Sequence, residues 1–74
     1  MAKLPAISGS DAVRAFQRIG YEVHHQKGSH IILRQRVEPF RRLSVPNHKE
    51  LKAGLLRGLI GDAGLTVGEF TKLL

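Results

Sequence analysis

Between Tyr21 and Val45 three short runs read as strands, the first and third with alternation at every second position, and the connections between the runs are only a few residues long. Tyr21, Val23 and His25 alternate with Glu22, His24 and Gln26. Lys27-Gly28-Ser29 then supplies turn residues, and His30 to Gln35 forms a second run. Val37 to Phe40, containing Pro39, makes the next connection, and Arg41 to Val45 alternates again, with Leu43 and Val45 on one side, before Pro46 and Asn47. A period of two marks strands with one buried face. Connections this short cannot carry a parallel crossover, so the pattern predicts a three-stranded antiparallel meander.

Helical spacing flanks the meander. Ser8-x-x-Asp11 is a capping box with Asp in the usual Glu position; Ala12, Val13, Phe16 and Ile19 follow at helical intervals, and Gly20 suits the C′ position. A second helix is predicted from about Ala53 to Ala63, with Leu55, Leu56, Leu59, Ile60 and Ala63 as its apolar stripe and Gly64 at its end. Gly54 and Gly58 weaken it by up to about 1 kcal/mol each relative to alanine. Thr66-Val67-Gly68-Glu69 opens a short terminal helix with Val67, Phe70, Leu73 and Leu74 inward. The order predicts an α+β fold, α-β-β-β-α with a short extra C-terminal helix and the helices on one face of the sheet. All 74 residues read as one domain, 1–74, with a modest core.

Charge is segregated along the chain. The eight basic residues between Lys27 and Arg57 face only two acids, Glu38 and Glu50, so the central half carries the whole excess of +6. Such a field attracts polyanions; a basic solvated surface or an acidic protein partner would produce the same count. The chain has no cysteine, which removes disulfides and thiolate metal sites and fits the cytoplasm. Residues Met1 to Ser10 lack the apolar core of a signal peptide, and no apolar run approaches membrane-spanning length, so no membrane association is expected.

With Ile31 and Leu33 facing the core, His30, Ile32, Arg34 and Arg36 fall on the opposite face, beside a turn carrying Lys27. Histidine is the side chain best suited to accept a proton near neutral pH. RNA offers the matching chemistry: its 2′-hydroxyl attacks the adjacent phosphorus when a base removes the proton. Lys27, Arg34 or Arg36 would stabilise the added phosphate charge, helped by backbone N–H groups at Gly28 and Ser29. No metal or other cofactor is expected. The six acids are scattered, against a two-metal nuclease, and adjacent His24 and His25 should point to opposite faces of a strand. His25 is expected partly buried on the core side, and His48 is expected to help cap the second helix, with a phosphate contact as the alternative. The group that protonates the leaving 5′-oxygen stays open between His48, water and His30 itself. A non-catalytic RNA-binding module, or a protein-interaction domain, would explain the same charged face without chemistry at His30.

Leu4-Pro5, Ser8-Gly9, Ala15-Phe16 and Gly20-Tyr21, followed by Gln26-Lys27-Gly28-Ser29-His30, Val45-Pro46-Asn47-His48-Lys49-Glu50-Leu51-Lys52 and Ala63-Gly64-Leu65, resemble the HicA toxin family along essentially the whole chain. The resemblance implies a double-stranded-RNA-binding-like fold and a messenger-RNA-cleaving toxin. It implies His30 as the catalytic residue, Lys27, Gly28 and Ser29 as its surrounding motif, and Lys49 and Lys52 as RNA contacts from the entrance to the second helix. It also implies a cognate HicB-type antitoxin that covers His30 in a hetero-oligomer. Ala53 departs from the proline of many relatives. Gly58, Gly61 and Asp62 replace better helix formers and basic residues.

Overall fold

The computed structural model describes residues 3–74. Its elements are α1 (Gly9–Gln17), β1 (Tyr21–Lys27), β2 (His30–Gln35), β3 (Arg42–Pro46), α2 (Ala53–Asp62) and α3 (Val67–Thr71). The three strands form one antiparallel sheet in the order β1-β2-β3, as the alternation predicts. α1 packs on β1 and β3, and α2 packs on β3 and α3, which makes two layers about one helix and one sheet thick: the shortest principal extent is 17 Å.

α1 starts where the capping box places it. The Asp11 N–H donates to Ser8 Oγ at 3.0 Å, and the Ser8 N–H returns a bond to Asp11 Oδ2 at 3.3 Å, so two of the helix's free N-terminal donors find acceptors. The Arg14 guanidinium at 2.6 Å from Asp11, together with both Ser8 groups, holds the Asp11 carboxyl below its ordinary value. Thr66 and Glu69 repeat the device at α3. α2 has no side-chain cap at its start, where Lys52 is the N-cap residue. Its other end is held by Arg41, whose guanidinium donates to the Asp62 carbonyl at 3.3 Å, and Gly64 leaves the helix at φ +77°.

Phe16 anchors the core. Its ring meets Tyr21 edge-on at 5.8 Å and Phe70 at 5.1 Å, so α1, β1 and α3 converge on one side chain. Leu33, Leu43 and Val45 from the sheet and Leu56, Leu59 and Ile60 from α2 complete it. Burying each large apolar group contributes about 1.5–3 kcal/mol.

The structure corrects several expectations. Ile19 lies beyond the end of α1 and is exposed, as are Leu55 on α2 and Leu74 at the C-terminus. β1 is not a regular strand: Val23 pairs with Leu33, but His25, not His24, pairs with Ile32, so His24 is an extra, bulged residue. The bulge reverses the alternation beyond it. His25 therefore lies on the open face with Ile32 and is exposed instead of partly buried on the core side. Val23 is 48% exposed although it faces the helix layer. The bulge also undoes the expectation that the adjacent imidazoles diverge, because His24 Nδ1 and His25 Nδ1 lie 2.7 Å apart, one donating to the other. His48 does not cap α2, which begins at Ala53, five residues on.

Candidate functional site

His30 is the first residue of β2, immediately after the two-residue turn Gly28-Ser29. The turn needs Gly28 because its φ of +60° lies in the left-handed region that side chains disfavour. Gln26 braces it, with Nε2 donating to the Gly28 carbonyl at 3.1 Å. Lys27 stands directly across from His30 on β1, and Pro46 directly across on β3. Lys27, Gly28, Ser29 and His30 are all exposed.

The second sequence motif is fastened to the first. The Asn47 N–H donates to the Ser29 carbonyl at 2.6 Å, one step beyond the His30–Pro46 pair. The next residue's carbonyl, that of His48, accepts from the Gly9 N–H at the start of α1 at 2.9 Å. Leu51 is buried, and its N–H donates to the Ile7 carbonyl at 2.8 Å. The segment from Asn47 to Leu51 is thus pinned at three points, and Lys49 on it and Lys52 just after it stand exposed. α1 can approach this closely only because residue 9 is glycine: a Cβ there would run into the Pro46 carbonyl oxygen.

The remaining candidates lie farther along the sheet. Arg34 is four residues from His30, which at about 3.3 Å per residue is roughly 13 Å. Its guanidinium sits 5.4 Å from the centre of the Phe40 ring. Arg36 follows the end of β2, roughly 20 Å from His30 by the same rise. Both arginines are therefore well removed from His30 along the sheet, whereas Lys27 stands directly across from it.

Two residues on the open face were absent from the sequence-based set. Arg42 pairs with Arg34, placing two cationic residues side by side, an arrangement that costs stability without a counter-ion. The only ion pair among the described residues is Arg14–Asp11, on α1. The alternation of β3 carries the signal for Arg42, since Leu43 and Val45 inward put Arg42 and Ser44 outward. His25 has no such signal, because the bulge alone turns it to this face. His25, Ile32, Arg42 and Ser44 line one shallow hollow.

Among the described residues no group of three or more histidine, aspartate or glutamate side chains is gathered to hold a metal ion. No helix there is long and apolar enough to cross a membrane. The arrangement is an exposed imidazole beside a lysine and a tight turn, at one end of an uncovered cationic sheet face. No curated protein sequence matches the chain. The model of a protein family described as the HicA toxin of bacterial toxin–antitoxin systems matches residues 9–65, which include the turn, all three strands, the pinned segment and α2. The match spans well over half of the 74 residues, so the chain belongs to the HicA toxin family, the toxin half of a toxin–antitoxin pair whose partner is a cognate antitoxin.

Proposed function

We propose that the chain is a metal-independent endoribonuclease that cleaves messenger RNA, with His30 as the general base. The observation that carries this reading is the placement of His30: exposed, at the head of β2, opposite Lys27, on the sheet face away from the helices. A substrate strand laid on that face meets the imidazole, the Lys27 ammonium and the Gly28-Ser29 backbone together. The imidazole removes the 2′-hydroxyl proton, and the 2′-oxygen bonds to phosphorus. Lys27 and the turn's N–H groups meet the charge that grows on the phosphate oxygens.

Arg34, Arg36, Arg42, Lys49 and Lys52 serve as phosphate contacts that hold and orient the strand and carry no step of the reaction. The six carboxylates are scattered over α1, β1, two loops, α2 and α3, whereas a two-metal mechanism needs them clustered. A HicB-type antitoxin silences the toxin by covering His30 in a hetero-oligomer, and the pair acts in the cytoplasm. The exposure of the Gly28–His30 turn is what makes such masking effective.

The test is cleavage of a defined single-stranded RNA by the purified protein in excess EDTA, beside His30→Ala. The wild type is expected to leave 2′,3′-cyclic phosphate ends. The variant is expected to lose about 10²–10⁴-fold in rate while keeping its fold and most of its RNA affinity. Equal rates in the two proteins would remove His30 from the chemistry. Binding without cleavage by either would leave an RNA-binding module.

A further inference from the structure

The ribonuclease reading leaves the departing 5′-oxygen without a proton donor, and the structure assigns that role to His48. The assignment rests on that reading and on three observations. First, the capping role that would otherwise explain His48 is absent: α2 starts at Ala53, its N-cap residue is Lys52, and no side chain bonds to its first turn. Second, the backbone around His48 is fixed on both sides. The Asn47 N–H is bonded to the Ser29 carbonyl at 2.6 Å, and the His48 carbonyl is bonded to the Gly9 N–H at 2.9 Å, while the residue as a whole is exposed.

Third, the register brings it to His30. His30 pairs with Pro46, and the Asn47–Ser29 bond carries the β2–β3 pairing one step farther. His48 follows two positions past Pro46, just beyond the end of β3, where a continued ladder would make it the diagonal neighbour of His30 at a backbone separation of about 7–8 Å. A backbone separation of that size is within reach of aromatic side chains, so one phosphate group can be shared by the two imidazoles.

Two other groups compete. Lys27 is directly across from His30, but near neutral pH a lysine ammonium serves better as a fixed positive charge than as a proton donor. His25 shares the open face, but its Nδ1 is engaged with His24, and it lines the hollow with Ile32, Arg42 and Ser44 toward the middle of the sheet.

The proton balance closes with two imidazoles. The 2′-hydroxyl proton passes to His30 as the 2′-oxygen bonds to phosphorus. The bond from phosphorus to the 5′-oxygen breaks, and that oxygen takes a proton from protonated His48. The products are a 2′,3′-cyclic phosphate and a 5′-hydroxyl, and exchange with water returns each imidazole to its starting state.

The decisive experiment varies the leaving group. Once the wild type's cleavage position in a short RNA is mapped, the same RNA is made with sulfur in place of the scissile 5′-oxygen, because a thiolate departs without a proton. His48→Gln is expected to lose about 10²–10⁴-fold on the ordinary RNA and to stay within tenfold of the wild type on the sulfur substrate, with an unchanged thermal unfolding midpoint. His30→Ala is expected to lose activity on both substrates. A similar loss by His48→Gln on both substrates would make His48 a contact residue, and no loss on either would leave it outside the reaction; both results overturn the assignment while the His30 result stands. Failure of the wild type to cut either RNA would overturn the assignment together with the ribonuclease reading.

Discussion

Tyr21 shows how far a single residue can be read. Alternation places it inward, and it is 2% exposed, packed edge-on against Phe16. What the pattern cannot convey is that its hydroxyl is buried without a hydrogen-bond partner among the described residues. Burial pushes the phenol above its ordinary pKa, with the nearby Arg41 charge pulling the other way and Asp62 adding to the rise. An unpaired buried hydroxyl costs free energy that a phenyl ring avoids. Tyr21→Phe is therefore expected to raise stability by up to about 1 kcal/mol, measured by urea unfolding; a clear loss of stability would mean that the hydroxyl is bonded after all. His30 and His25 make the same contrast for the candidate site. His30 could be placed from Ile31 and Leu33 alone, because β2 is regular over the residues concerned. His25 could not, because the extra residue at His24 reverses the faces of the strand.

At the level of elements, what was legible is what turn and cap chemistry specifies. Both capping boxes form at Ser8 and Thr66, and Gly20, Gly28 and Gly64 all adopt positive φ where the chain turns. What was not legible depends on distant contacts: the end of α1 before Ile19, the exposure of Leu55, and the hold of Arg41 on the last turn of α2. Gly9 belongs to this second kind. As the first residue of α1 it resembles any small residue next to a cap, yet its missing Cβ lets the helix reach Pro46 and bond to His48. In a free helix, alanine would be the better residue. Here Gly9→Ala has to push α1 away from the backbone of β3, and overpacking of this kind costs about 1–3 kcal/mol. The expected result is a lower unfolding midpoint together with reduced RNA cleavage, because the shift also moves the segment that carries His48. Unchanged stability would show that α1 is free to slide at that end.

Over the whole molecule, the two-layer construction leaves one sheet face uncovered, and the central charge excess concentrates there and on the pinned segment after β3. The charge count alone could not locate that face, because basic residues of the same stretch do different work: Arg41 holds the end of α2, while Lys27, Arg34 and Arg42 stand on the open side. If RNA binds there as proposed, it displaces counter-ions, so the logarithm of the affinity should fall linearly with the logarithm of salt concentration, by about 0.7 per phosphate contact for a single strand. Lys27→Gln and Arg42→Gln are each expected to reduce that slope by about 0.7. His30→Ala should leave it nearly unchanged if, as proposed, its contribution belongs to the reaction. Arg14→Gln is the control, because Arg14 is paired with Asp11 on α1 and lies off the sheet. Salt titrations of the four variants, followed by fluorescence anisotropy with one labelled RNA, separate the alternatives. If Arg14→Gln lowers the slope as much as Arg42→Gln, the attraction comes from net charge spread over the molecule; if only the sheet and turn variants do, the strand lies across the open face with His30 at its end.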